Sequence, residues 1–153
     1  MAGNSIVDRF EGESGRRLLT DLIQRQTMIE GSAPIAKAFA DRCTLLSLPE
    51  NSVFIRQGDP DNDIYLVLSG SVRVLVNDRE VACRNSGQHV GEMALVDPAS
   101  RRTATVVTIE PSVLAQVSEK QFTEIANANP ILWRNIAIEL CRRLDQRRKF
   151  HHS

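Results

Sequence analysis

The sequence has no surplus of either charge. Lys+Arg and Asp+Glu stand at 19 each in 153 residues, so the formal net charge at pH 7 is zero. General affinity for nucleic acid needs a basic excess that displaces counterions from phosphates, so nucleic acid is not an expected partner. No apolar run approaches the roughly 20 residues that a membrane span requires, and a membrane is not expected either. The N-terminal stretch MAGNSIVDRFEGESGRR is too polar for a signal peptide. Cysteine is scarce: Cys43, Cys83 and Cys141 are odd in number and far apart, without CxxC spacing. They read as reduced core cysteines of a cytoplasmic protein, neither a disulfide framework nor a metal site. Histidine is equally scarce. A metal site of the cupin-like kind needs two or three histidines and a carboxylate on one ion, and here His89 near Glu92 is followed only by His151 and His152 at the chain end. That leaves a cupin-like metalloenzyme as a rival reading from another class, and no cofactor or catalytic residue is expected.

What is present is the composition of an ordinary globular domain, with 42% hydrophobic and 25% charged residues and enough length for one real core. The first 15 residues, with three glycines and several charges, read as partly loose. From Arg16 to Ile29, Leu18, Leu19, Leu22, Ile23 and Ile29 recur at helical spacing. Ser32 can cap a second short helix, with Pro34 in its first turn, running to about Asp41. The middle is β-rich: 53–55, 64–68, 72–76, 81–84, 104–109 and 113–117, separated by turn chemistry at 57–63, 69–71 and 77–79 with Gly58 and Gly70 at turn positions. Short strands at this spacing indicate an antiparallel sandwich or barrel. The end is helical again. Ser118-Glu119-Lys120-Gln121 is a capping box, and Asn129-Pro130 marks a helix start with asparagine as cap. The last helix carries Trp133, Ile136, Ala137, Leu140 and Leu144 on one stripe, readable as core or as dimer interface. Tyr65 and Trp133 read as core. The fold class is therefore α+β: helices over 1–41, an antiparallel, jelly-roll-like β-roll over 42–117 and a C-terminal lid or dimerisation helix pair over 118–153, all one domain.

The informative stretch is GQHVGEMALVDPASRRTATV, residues 87–106. Gly91-Glu92-Met93-Ala94-Leu95 lies between two strands and is long enough for one helical turn. The unpaired first amides of such a turn attract anions. Gly91 and the small Ala94 let a ligand approach the backbone. Arg102 supplies a guanidinium fork that fits two phosphate oxygens. Glu92 would be repulsive beside a phosphate unless it accepts a hydrogen bond from a neighbouring sugar hydroxyl. Together these residues suit a singly charged phosphate joined to a sugar. Arg101 reads as a surface residue, and His89 as a pocket-edge or surface histidine.

GEMAL at 91–95 and RTATV at 102–106 resemble the phosphate-binding cassette of cyclic-nucleotide-binding domains, Gly-Glu-(Leu/Met)-Ala-Leu followed after a loop by Arg-(Ala/Ser/Thr)-Ala-Thr-Val. IRQGDPDNDIYLVLSGSVRV is similar to the same family's strand–turn–strand stretch, and the likeness covers roughly residues 38–147. His89-Val90 departs from the family, where many members carry an aromatic residue. The resemblance implies that Glu92 takes the ribose 2′-hydroxyl and Arg102 the cyclic phosphate. Met93 and Ala94 would donate their amides, and Thr103 sits where members vary with base preference. It also implies that the last helix closes over the base, with Arg143, Arg147 or Phe150 touching the ligand. The opening DRFEGESGRRLL and the close LCRRLDQRRKF further resemble the sensor half of bacterial antiphage effectors of the Pycsar type. Those join such a domain to a TIR-type NAD hydrolase and answer cyclic UMP or cyclic CMP. No TIR sequence is present here. The expectation is a homodimeric 3′,5′-cyclic-nucleotide sensor, with cUMP or cCMP as ligand and conventional cAMP or cGMP reception as the alternative. A helix-turn-helix regulator finds no room before Ser153, and a ligand-free scaffold would not explain the intact Glu92 and Arg102.

Overall fold

A computed structural model describes residues 8–97 and 99–152; for Val96 and residues 147–152 only the backbone is described. Eight strands form two antiparallel four-stranded sheets. The first runs β1 (Thr44–Leu48), β8 (Ser112–Val117), β3 (Ile64–Ser69), β6 (His89–Val90); the second runs β2 (Val53–Ile55), β7 (Thr105–Thr108), β4 (Ser71–Val76), β5 (Arg79–Asn85). Helices α1 (Gly12–Gln24) and α2 (Ala33–Arg42) precede the roll. A single turn, α3 (Met93–Val96), interrupts it, and α4 (Glu119–Ala128) and α5 (Ile131–His152) follow.

The alternation of β3 explains the layering. Tyr65 and Val67 point into the roll with Val72, Val74, Val90, Val106 and Leu114. Ile64, Leu66 and Leu68 point the other way, into a core shared with Ile23, Met28, Phe39, Phe122 and Leu132 of the helical layer. Successive side chains on a strand face opposite ways, so a strand covered on both faces is apolar throughout. β3 is accordingly buried from Ile64 to Leu68. Phe122 anchors the helical side, meeting Phe39 and Trp133 edge-on at 5.7 Å each.

Residues 8–15 are more ordered than their composition suggests. Helix α1 begins at Gly12 rather than Arg16, and Phe10 is buried. A side chain at Gly15 would collide with the Phe10 backbone, so here glycine permits close packing instead of looseness. The same helix stops at Gln24 instead of Ile29. The following turn seats Gln26, whose Nε2 donates to the Val67 carbonyl at 2.9 Å, and offers the Met28 carbonyl to Asn135 of α5 at 2.7 Å. These two buried bonds fix the last helix over the first sheet.

Ser32 caps α2, accepting from the Ile35 N–H, and Ser118 with Gln121 forms the expected capping box. Asn129 does something else: its Nδ2 donates to the Ile125 carbonyl and closes the C-terminus of α4. The expected stripe on α5 splits. Ile136 is buried and Trp133 and Leu140 pack half-buried against the core beside the buried Leu132, while Ala137 and Leu144 are exposed, as is Ile138. Two strands had no clear signal, β1 and the two-residue β6. The cysteines are unbridged, but they are not core residues: Cys43 is half-buried, and Cys83 and Cys141 are exposed.

Candidate functional site

The 87–106 stretch supplies β6, the α3 turn and the entry to β7, which places both halves of the motif on one wall of a cavity. About 580 Å³ of free space, open to solvent, is lined by Gly91, Glu92, Met93, Ala94, Arg102 and Thr103 among others. Its apolar sides are Ile55, Val74, Val90 and Val106, and Arg84 and Arg143 reach into it from β5 and α5.

Gly91 is required twice over. Its φ is +91°, a left-handed conformation, and a Cβ there would stand 2.6 Å from the Asp63 carbonyl and 3.0 Å from Arg102 Nη1. The arginine can thus lie flat against the turn. Arg102 is 7% exposed. Its Nε and Nη2 both donate to Asp61 Oδ2, at 3.1 and 2.7 Å, and Nη2 also donates to the Asp63 carbonyl at 2.6 Å. Nη1 makes a long bond to the Gly91 carbonyl at 3.4 Å. One side of the guanidinium is therefore held by a carboxylate and a carbonyl, and Nη1 is turned toward the Gly91–Ala94 turn. A guanidinium carries five N–H donors in a rigid fork, so an anion in the turn can be met without releasing Asp61.

Glu92 is buried and does not cap α3; it forms an ion pair with Arg143 of the last helix, both side chains 11% exposed. Burial pushes the Glu92 carboxyl up, but Arg143 and the dipoles around it prevail and hold it below the usual carboxylate range. Arg143 Nη2 also donates to the His89 carbonyl at 2.8 Å. The last helix is thus clamped onto the cassette at Glu92. Ala94 is buried, with its N–H at 3.3 Å from the Gly91 carbonyl, while Met93 and Thr103 face the cavity and solvent. Arg101 is exposed, as expected of a surface residue. The side chains of Arg147 and Phe150 lie outside the described residues.

His89 is neither at the surface nor at the pocket edge. It is fully buried, and both ring nitrogens lack a hydrogen-bond partner among the described residues. Its register opposite Leu66 turns it toward the helical layer, because directly paired residues of an antiparallel ladder share a face. Burial, with Arg143 and Arg84 nearby, lowers its pKa from 6.5 to about 3 despite Glu92. The folded state therefore refuses a proton that the unfolded chain accepts below about pH 6.5, and stability falls as pH drops from there toward 3. At roughly 1.4 kcal/mol per unit, about 2 kcal/mol is lost by pH 5. His89→Leu is expected to abolish that loss, read as denaturant midpoints at pH 5 and pH 7.5; identical pH slopes for both proteins would refute it.

Two lining residues are not among those the sequence singled out. Asp61 read as turn chemistry, because nothing local announces a carboxylate that orients a distant arginine. Arg84 had a faint signal, a charged residue that ends the short apolar run Val81-Ala82-Cys83. Among the described residues no group of three His, Cys, Asp or Glu could hold a metal ion, and no helix is long and apolar enough to cross a membrane.

The family model described as cyclic nucleotide-binding domain matches residues 45–129. Among curated proteins, the chain is 40% identical over 147 residues to the Pycsar effector protein PaPycTIR of Pseudomonas aeruginosa, covering 96% of this chain and 48% of that protein. It is 36% identical over 145 residues to the Pycsar effector protein BcPycTIR of Burkholderia cepacia, covering 95% and 48%. The chain thus spans about half the length of these relatives. Among solved structures, cAMP-bound PfPKA-R (141–441) superposes with a TM-score of 0.74 at 17% identity, covering 88% of this chain and 45% of that one, a likeness of fold.

Proposed function

Since the chain belongs to the cyclic nucleotide-binding domain family, we propose that it is the sensor half of a TIR-type effector, switched by a 3′,5′-cyclic pyrimidine nucleotide. The cyclic phosphate lies in the Gly91–Ala94 turn against Arg102 Nη1, and the ribose 2′-hydroxyl donates to Glu92. A carboxylate accepts more than one hydrogen bond, so Glu92 can hold the sugar and Arg143 together. The observation that carries this reading is the pair of clamps meeting in one cavity: Arg102 oriented by Asp61, and Glu92 tied to Arg143 of the last helix. The second clamp supplies a route for output. A ligand that engages Glu92 changes the balance of contacts holding α5, and it shifts the helix only by its differential affinity for the two positions. The exposed Ala137, Ile138 and Leu144 on α5 suit a second copy of the chain, through which the shift is passed to an effector domain. The likeness to Pycsar effector proteins over nearly the whole chain supports cUMP or cCMP over cAMP or cGMP.

Calorimetric titration with the four cyclic nucleotides tests this. Tight binding of a pyrimidine ligand is expected, with its 2′-deoxy analogue about 1–3 kcal/mol weaker, since a buried carboxylate then loses a donor. The deoxy ligand is a cleaner probe than a Glu92 variant, which would strand Arg143. Tight binding of a purine ligand alone would return the chain to conventional cAMP or cGMP reception, and an unweakened deoxy ligand would free Glu92 of its sugar role.

A further inference from the structure

Resting on the cyclic-nucleotide reading and deepening it, we propose that Arg84 reads the base and selects one that turns a carbonyl oxygen toward it, uracil over cytosine. Arg84 pairs with Val72 in the β4–β5 ladder, and Ala82 pairs with Val74. Directly paired residues share a face, and Val72 and Val74 point into the roll. The edge strand β5 therefore delivers a guanidinium to the inner face of the second sheet, where it lines the cavity beside Val74, Val90 and Val106.

The donor chemistry of the guanidinium narrows what Arg84 can recognise, whatever the hydroxyls of Ser100 and Thr103 meet elsewhere in the lining. Both acidic side chains of the cavity already face a cation: Glu92 is paired with Arg143, and Asp61 with Arg102. Both also belong to the sugar and phosphate end. Beyond them, Arg84 offers donors and no acceptor, with Nη1 at 3.2 Å from its neighbour's Cys83 carbonyl. An exocyclic amino group, as on cytosine or adenine, would set donor against donor. A keto oxygen at that same edge, as O4 of uracil or O6 of guanine, accepts from the fork. A well-formed guanidinium–base contact is worth about 1–3 kcal/mol of discrimination, roughly 10- to 100-fold.

The test compares the parent chain with Arg84→Met, Arg84→Lys and Arg102→Ala in titrations with cUMP, cCMP, cGMP and cAMP. The parent is expected to bind cUMP at least ~10-fold more tightly than cCMP. Arg84→Met should lose ~10- to 100-fold for cUMP while cCMP changes by less than about threefold, collapsing the preference. Arg84→Lys, which keeps the charge without the fork, should fall between, and Arg102→Ala should lose all ligands alike. Circular dichroism melts verify that the variants are folded. A preference that survives Arg84→Met, or a uniform loss across the four ligands in that variant, overturns the role of Arg84 while leaving cyclic-nucleotide sensing intact. A parent chain that binds none of the four overturns both.

Discussion

Arg102→Ala is expected to weaken cyclic-nucleotide binding by about 2–5 kcal/mol, roughly 30- to several-thousandfold, the range for truncating one partner of a buried charge pair. The loss should appear in binding and hardly in folding. Arg102 is buried, but its carboxylate partner Asp61 keeps 43% of its side chain exposed and stays hydrated when the arginine is gone. Arg102→Lys should recover little. An ammonium is a point donor, and it cannot reach Asp61, the Asp63 carbonyl and a phosphate at once as the fork does. Calorimetric titration of both variants, beside their denaturation curves, checks this. An alanine variant that binds like the parent would remove Arg102 from the site.

Arg143→Met should cost stability, by about 3 kcal/mol, because it leaves the Glu92 carboxylate buried without its cation. Glu92 would respond by rising in pKa, since burial already pushes it up and the opposing Arg143 is removed. Stability that the parent holds above the unfolded carboxylate pKa, and loses as pH falls through the lowered folded value, would no longer be there to lose. The double variant Glu92→Gln/Arg143→Met should regain most of the deficit, because a neutral amide is far cheaper to bury than an unpaired charge. Urea denaturation of the four proteins in a double-mutant cycle reads the coupling directly. Additive costs would mean that the two side chains do not hold α5 to the cassette.

The legibility of this protein follows the range of the interactions involved. The caps at Ser32 and Ser118 and the turns at Gly58 and Gly70 depend on residues within a few positions, and each was readable from the chain. So were the strands whose β-branched runs announce them. β1 was missed because TLLSL has a helix-compatible composition and becomes a strand by pairing with β8, from Thr44↔Gln116 to Leu48↔Ser112. At Asn129-Pro130 the helix start is legible, with α5 beginning at Ile131, but the cap is not, because the Asn129 side chain turns back to the Ile125 carbonyl and closes α4. The splitting of the α5 stripe is tertiary in origin: which apolar residues are covered depends on where Asn135 and Arg143 moor the helix.

The site divides along the same line. The sequence by itself determined where the proposed phosphate cassette lies, because an anion-binding turn needs a small-residue backbone and an arginine within one short stretch, and Gly91 to Thr103 is such a stretch. It also determined the fold class, since short strands and turns at regular spacing admit few architectures. Only the tertiary structure decided how those residues are held. Asp61 orients Arg102 from 41 residues away, Arg143 reaches Glu92 from the last helix, and Arg84 enters from an edge strand. His89, a polar residue of the two-residue strand β6, became fully buried because the helical layer closes over it. Each of these contacts joins distant segments, and no local pattern encodes such a partner; the folded roll brings them together through the burial of its two apolar faces.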